Sequence, residues 1–317
     1  MTALRNLLAV LALAVTAAHA QYPSKPIKLV VPWPPGGAVD TIGRLIAQTV
    51  SEPLGQPIVV DNRAGAAGAI GSDAVAKAEP DGYTLLMGST TVISINPALQ
   101  KLPYKPSDFA PITMVAFVPH MLVTNAETPA KDLKEFVAYV KARPRQVSYA
   151  SAGPGTPHHI AGEMFKAMAG IDMLQVPYKG TGPALTDLLA GRVQFMSVEA
   201  IAALPHVKAG KLRALGVATP ERNALAPEVP TVAEAGYPGF EVTAWYGVVA
   251  PAGVPKDAAG VLAGAISKAL ETPQFRDKLA GMGATPVGGT PEAFGEILRR
   301  ENAKWEKAIR DAAIKID

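Results

Sequence analysis

The chain has 317 residues, too many for one ordinary hydrophobic core and suited to two compact domains. Apolar residues make up 49% and charged residues 18%, which excludes wholesale disorder. The net charge of +3 is spread without a block of like charge, so there is no electrostatic footprint for nucleic acid or an anionic membrane surface.

In chain order, residues 1–20 read as a signal peptide. Arg5 precedes an apolar run, Leu7 to Ala18, and Ala18-His19-Ala20 is an A-x-A cleavage site. The run is too short to span a bilayer, and Pro23 and Pro26 argue against a buried N-terminal helix. A mature chain starting at Gln21 is expected to sit in the periplasm, soluble. The absence of Cys means that export brings no disulfide, thiolate metal site or thiol nucleophile, and no lipidated cysteine.

The rest alternates strand-like and helical runs. Pro26–Val31 predicts a strand, and Val39–Val50 a helix with Val39, Ile42, Ile46 and Val50 on one face. Pro57–Asp61 is a strand, then a Gly-rich turn leads into a helix to Ala78. Thr84–Met87 is a strand, Lys131–Lys141 a helix, Val147–Ala150 a strand and His158–Met168 a helix. Leu174–Val176 is a strand, Ala184–Leu189 a helix, and Val193–Met196 and Leu212–Val217 are strands. A Pro-rich segment covers Pro220 to Pro238, and from Lys256 the chain is mostly helical, ending in Glu292–Ile314. Repeated β-α-β units imply α/β architecture with parallel strands. Pro111–Thr124 and Phe240–Ala250 are long β-like runs with no helix between strands, and we read them as crossovers between two domains. One domain would be discontinuous, 21–123 plus 244–317, and the other 124–243.

Three strand-to-helix junctions share a design. In Pro32-Trp33-Pro34-Pro35-Gly36-Gly37-Ala38-Val39-Asp40 the prolines stiffen a loop and the glycines widen its backbone choices. The second is Gly88-Ser89-Thr90-Thr91. The third, Ser151-Ala152-Gly153-Pro154-Gly155-Thr156-Pro157, places Thr156 as N-cap and Pro157 first in the helix. Helix N-termini hold anions on unpaired N–H groups, so a carboxylate could be held without Arg or Lys. Each loop alone is also what a well-capped helix start looks like. Three of them, on both proposed domains, favour a shared cleft.

Other motifs exclude more than they suggest. Gly65-Ala66-Ala67-Gly68-Ala69-Ile70-Gly71 has the wrong spacing for a dinucleotide loop and reads as a tight turn feeding a closely packed helix. There is no G-x-S-x-G elbow, P-loop or H-E-x-x-H. His158 and His159 are adjacent on a helix and therefore a poor metal chelate, although one could face a cleft. Ser151 near His158 invites a nucleophile–base reading, without an orienting acid or oxyanion hole in view. Trp33 is either a loop anchor or an aromatic wall for a ligand, and Trp245 a hinge or core residue. Nothing calls for a metal or organic cofactor.

Taken together, several stretches resemble the Bug-type binding proteins of tripartite tricarboxylate transporters. They are Tyr22-Pro23-Ser24-Lys25-Pro26-Ile27-Lys28-Leu29-Val30-Val31-Pro32 with Pro35-Gly36-Gly37 and Asp40, and Val59-Val60-Asp61-Asn62-Arg63-Ala64-Gly65 with Gly68, Ile70 and Gly71. Pro80-Asp81-Gly82-Tyr83-Thr84-Leu85-Leu86, Val176-Pro177-Tyr178-Lys179-Gly180, Gly210-Lys211-Leu212-Arg213-Ala214-Leu215, Val229-Pro230-Thr231, Trp245 and Pro251-Ala252-Gly253 follow. The resemblance implies a two-domain periplasmic binding protein fold (type II-like) that closes on a ligand in the manner of a Venus flytrap. It implies capture of a small carboxylate, held between the first two loops on backbone amides, and delivery to a two-subunit membrane permease. The candidate ligand-binding residues are Trp33, Pro35, Gly36, Gly37, Ala38, Asp40, Ser89, Thr90, Ser151, Gly153, Gly155, Thr156, His159, Tyr178, Ser197 and Glu199.

One stretch departs from the family pattern, which usually has an aromatic residue, then Asp, Asn, an apolar residue and Pro. Here Ser197-Val198-Glu199-Ala200-Ile201 puts Val198 at the Asp position. Val198 cannot pair with an ammonium, whose unpaired burial is costly. A dicarboxylate, tricarboxylate or aromatic carboxylate without an α-amino group is therefore expected, unless Glu199 supplies the missing charge. Two other roles fit the same composition: an exported enzyme acting on a small carboxylate, and a protein presenting its ligand to a membrane sensor. A monomer is the default.

Overall fold

A computed structural model describes residues 22–311, so the signal peptide and its cleavage site lie outside the described residues. β1 (Ile27–Val31) lies between β2 (Ile58–Asn62) and β3 (Thr84–Ser89), parallel to both. α1 (Ala38–Leu54) connects β1 to β2 and buries Val39, Ile42, Ile46 and Val50, the face expected from their spacing. It runs beyond Val50 to Leu54, with Pro53 in its last turn, and stops at Gly55, which adopts the left-handed φ of +68° that glycine tolerates. α2 (Ala69–Ala76) connects β2 to β3. A β-carbon on Gly71 would come within 2.7 Å of the Arg63 carbonyl oxygen, so the three-glycine stretch is a site of close backbone packing.

The helix expected after β3 is replaced by a π-helical turn, Thr90–Ile95, and a single short turn, α3 (Asn96–Leu99). Tyr104 donates to the Val92 carbonyl at 2.8 Å and Asn96 to that of Ala67 at 2.9 Å, which fixes this irregular segment from outside.

The 17-residue strand β4 (Phe109–Asn125) organises the sheet. Its first part, Phe109 to Pro119, pairs antiparallel with β9 (Thr243–Pro251), which also pairs with β3. Its last part, from His120, pairs with β7 (Phe195–Glu199) and β8 (Leu212–Val217). The two long runs without an intervening helix are thus one antiparallel pair. Register shifts at Pro111/Thr113, Met114/Ala116 and Leu122/Val123 bend β4 as it passes from one half of the sheet to the other. Pro119, which has no N–H to offer a ladder, ends the pairing with β9.

The second half contains α4 (Leu133–Lys141), β5 (Ser148–Ser151), α5 (Pro157–Ala169), β6 (Leu174–Pro177) and α6 (Thr181–Leu189), with β5 parallel to β6 and β7. The main strand order is β2-β1-β3-β9-β4-β7-β5-β6, with β8 pairing β4 off this path. β7 continues past the expected Met196 to Glu199 and leads at once into α7 (Ala200–Lys208), a helix not among the expected elements. α8 (Lys256–Glu271), α9 (Pro273–Gly281), the two-residue β10 (Thr285–Pro286) and α10 (Pro291–Asp311) return to the first half.

One hydrophobic cluster fills the first half and two fill the second. Trp245 belongs to the first: it is fully buried and meets Phe294 edge-on with ring centroids 5.6 Å apart, a contact worth roughly 0.5–1.5 kcal/mol beyond the area it buries. Alternation along β9 then turns its neighbours Ala244 and Tyr246 the opposite way, towards the cavity described next. No helix among the described residues is long and apolar enough to cross a membrane.

Candidate ligand-binding site

The loops after β1, β3 and β5 converge on one narrow cavity of about 20 Å³, between the two halves of the sheet. That is room for about one water, well below the volume of small-molecule sites, so a ligand needs the two halves to part before it can enter.

The β1 loop delivers the N-terminus of α1. Gly37, the N-cap, has no side chain with which to cap its own helix, and the first helical bond runs from Thr41 N to Gly37 O at 3.0 Å. The N–H groups of Ala38 and Val39 are left without helical partners, and Gly37, Ala38 and Val39 all line the cavity. The loop is held from behind by Asp40. Its Oδ2 accepts from Gly36 N and Arg44 Nε, both at 3.0 Å, and its Oδ1 from Asn62 Nδ2 at 2.9 Å. Asn62 Nδ2 also donates to the Trp33 carbonyl at 3.0 Å. Burial works to raise the Asp40 pKa, but the hydrogen bonds from Arg44, Asn62 and Gly36 outweigh it and hold the carboxyl below its ordinary value. Asp40, Gly36 and Pro35 therefore do not line the cavity; Asp40 shapes the loop, and Gly36 takes the φ of +92° that the bend requires.

The β3 loop contributes Ser89, Thr90 and Thr91. Thr90 Oγ1 accepts from Trp245 N at 2.7 Å, which ties the π-helical turn to β9. Ser89 Oγ is buried and has no partner, as is Trp33 Nε1 on the facing loop. Trp245 Nε1 and Ser94 Oγ, off the wall, are likewise without partners, so it is the position of Ser89 and Trp33 beside the free helix amides that suits them to a ligand.

The β5 loop supplies Ala152, Thr156, Pro157 and His158. Thr156 occupies the N-cap position of α5, as expected, but its hydroxyl does not cap the helix: it donates back to the Gly153 carbonyl at 2.7 Å. The amide of His158 and the one after it are thus left free at this helix start too. The expectation for His159 requires correction. Its Nδ1 accepts from Gly155 N at 3.2 Å, so the ring braces the loop, and His158 is the histidine on the cavity wall. Ser151, Gly153 and Gly155 also stay behind the wall; Ser151 Oγ accepts from Gln175 Nε2 at 2.9 Å and makes no contact with His158. Tyr178 lies away from the cavity, donating to Asp187 Oδ2 at 2.8 Å.

At the end of β7, alternation sends Val198 into the apolar cluster of the second half and Glu199 into the cavity. Val198 therefore does not exclude an amine on the ligand, because the cavity-facing position carries a carboxylate. Glu199 is 4% exposed. Its Oε2 lies 3.0 Å from His158 Nε2 and its Oε1 accepts from Tyr246 Oη at 2.9 Å. Burial alone would raise the Glu199 pKa, but His158 beside it holds the group well below the usual carboxylate range. An ionised carboxylate only accepts, so His158 Nε2 and Tyr246 Oη are the donors. Burial and the Glu199 charge push the Tyr246 pKa well up and keep its proton in place. Ser197, on the same face of β7 but off the cavity, contacts His120 Nδ1 at 3.1 Å, and burial pushes the His120 pKa down to about 3.

Of the expected set, Trp33, Gly37, Ala38, Ser89, Thr90, Thr156 and Glu199 line the cavity. Sequence reasoning missed Pro34, Val39, Thr91, Ala152, Pro157, His158, Thr181, Ala244 and Tyr246. Tyr246 carried a signal, since it alternates with the core residue Trp245. Thr181 carried none, because the approach of α6 to the β1 loop is set by the assembled sheet.

The sequence profile described as tripartite tricarboxylate transporter family receptor matches residues 42–314. The chain belongs to this family, among its Bug-type receptors. Protein BugT of Bordetella pertussis is 40% identical over 93% of this chain and 91% of its own length. A solved R. palustris protein with adipate is 36% identical, covers 93% of this chain and 99% of its own, and superposes with a TM-score of 0.90. MatC from Rhodopseudomonas palustris, with bound malate, is 35% identical over 91% of this chain and 100% of its own, with a TM-score of 0.86. This Bug-type chain accordingly has the two-domain periplasmic binding protein fold, and the family's members are receptors for solutes, not enzymes.

Proposed function

We propose that this receptor captures a small carboxylate in the periplasm by closing two domains on it, and presents it to a two-subunit permease of the tripartite tricarboxylate type. The observation that carries this reading is the wall of the cavity. Two helix N-termini with free amides meet there, with the unpartnered donors Trp33 Nε1 and Ser89 Oγ beside them. Such a wall suits an anion without requiring a basic side chain. That two relatives were solved with adipate and malate supports the same ligand class. Dicarboxylates, tricarboxylates and aromatic carboxylates remain the starting panel, and with Glu199 on the wall amino acids join it.

Domain closure would take place about β4 and β9, with residues 21–123 and 244–317 on one side and 124–243 on the other. Closure brings the binding free energy of the ligand to bear on a shape that a permease can read. Residues 1–20 would direct export and be removed near Ala20, leaving a monomeric soluble chain that needs no cofactor.

A thermal-shift screen of the chain from Gln21 tests the reading. Ligand at about 100 times its Kd adds about 2.7 kcal/mol, roughly 2–4 °C per kcal/mol at this size. A rise with a carboxylate and none with its amide is expected. No rise with any carboxylate would sink the ligand class. For transport, deletion of the gene should abolish uptake of that solute; intact uptake would remove the permease from the proposal.

A further inference from the structure

Apart from the hydroxyls of Thr90, Thr91, Thr156 and Thr181, which can donate or accept, the polar lining of the cavity divides into two chemistries. One part donates: Trp33 Nε1, Ser89 Oγ and the free amides at the start of α1. The other accepts: the Glu199 carboxylate has about four lone-pair positions, of which His158 and Tyr246 take two. Among the described residues no Lys or Arg lines the cavity. A ligand carboxylate satisfies the donating part. A second carboxylate in so small a space would lie near a desolvated anion, where like charges repel far more than in water. His158 Nε2 and Tyr246 Oη spend their protons on Glu199, so neither is left to donate to a second ligand carboxylate.

We infer that Glu199 selects the far end of the ligand: the cleft takes a carboxylate of single negative charge whose other end is a hydrogen-bond donor, a hydroxyl or an ammonium, and turns away dianions. This rests on the carboxylate reading above and narrows it. Selection of this kind works by repulsion as much as by attraction. The free lone pairs of Glu199 welcome a donor, and its charge rejects a second anion.

Titration calorimetry on the wild type and on Glu199→Gln tests the inference. The ligands are succinate, adipate and terephthalate, each with its counterparts in which one carboxylate is replaced by a hydroxymethyl or an aminomethyl group. In the wild type, a donor-ended monocarboxylate of at least one series should bind about tenfold or more tighter than its dicarboxylate, and Glu199→Gln should bring that ratio near one. The hydroxyl and amine arms tell a hydroxy acid from an amino acid. A dicarboxylate that binds the wild type as tightly as its counterparts overturns the inference and leaves the carboxylate reading standing; His158 Nδ1, buried without a partner, would then be the group holding it. Failure of every compound to bind the wild type overturns both. The wild-type ranking decides even if Glu199→Gln does not fold.

Discussion

Pro35 and Gly182 meet across the cleft: a β-carbon on Gly182 would lie 3.2 Å from the Pro35 carbonyl oxygen. Gly180 is as close, its β-carbon position being 3.0 Å from Pro34 Cδ, and Gly37 faces Thr181 at 3.6 Å in the same sense. The β1 loop and the start of α6 thus touch only because the smallest side chains stand between them.

Gly182→Ala should separate folding from closure. Within α6 the change favours the helix by up to about 1 kcal/mol, and parting of the two halves relieves the contact with Pro35, so the ligand-free Tm should hold or rise. The added methyl leaves too little room against Pro35, and ligand affinity should fall about tenfold, read by calorimetry. Unchanged affinity would show that these two segments do not close on each other around the ligand.

Trp33 should report ligand binding. It is 8% exposed and lines the cavity, whereas Trp245 is packed against Phe294 off the wall and Trp305 donates to Glu301. Ligand should alter the tryptophan emission of the wild type, and Trp33→Phe should remove most of that change while the other two tryptophans continue to emit. A full response from the variant would place the ligand elsewhere.

Asp40→Ala should damage both stability and binding. It deprives Gly36 N, Arg44 and Asn62 of their shared acceptor; Arg44 is half exposed and adds little. The buried partners set a cost of about 1–3 kcal/mol in denaturant unfolding, with weaker ligand binding as the loop loosens. Because the folded pKa of Asp40 lies below its unfolded value of about 3.9, its contribution is complete above that pH and is lost as the pH falls through the folded value. Asp40→Asn should flatten that acid limb; an unchanged limb would count against the assignment.

His120 predicts a second, milder acid effect. It is fully buried, contacts Ser197, and lies 5.2 Å from the His158 ring, with Glu199 nearby. Its pKa falls from an ordinary 6.5 to about 3. The unfolded chain therefore takes up the proton first, and stability should be full above about pH 6.5 and drop as pH falls towards 3, by up to about 1.4 kcal/mol per pH unit. His120→Asn should remove that slope between pH 4 and 6. A slope that survives the substitution would belong to another group.

Much of the fold was legible because it depends on periodicity. The apolar spacing of α1 and the two helix-free β runs are local patterns, and the structure places them as helix and strands. The site was only partly legible. The loops around Gly37, Ser89 and Thr156 were visible as glycine, proline and hydroxyl clusters, but the choice between His158 and His159 was not. Adjacent residues in a first helical turn differ by about 100° in direction, and sequence does not fix the zero of that angle. β7 shows the same limit with a sharper consequence. Whether Val198 or Glu199 faces the ligand depends on a register in which a shift of one residue exchanges the two faces. By itself the sequence determined most of the elements, though not α7 or the π-helical turn after β3, together with the three anion-suited loops and the family pattern. Only the tertiary structure decided that a carboxylate stands on the cavity wall, because pairing with β4 sets the register of β7, and β9 brings Tyr246 to meet it.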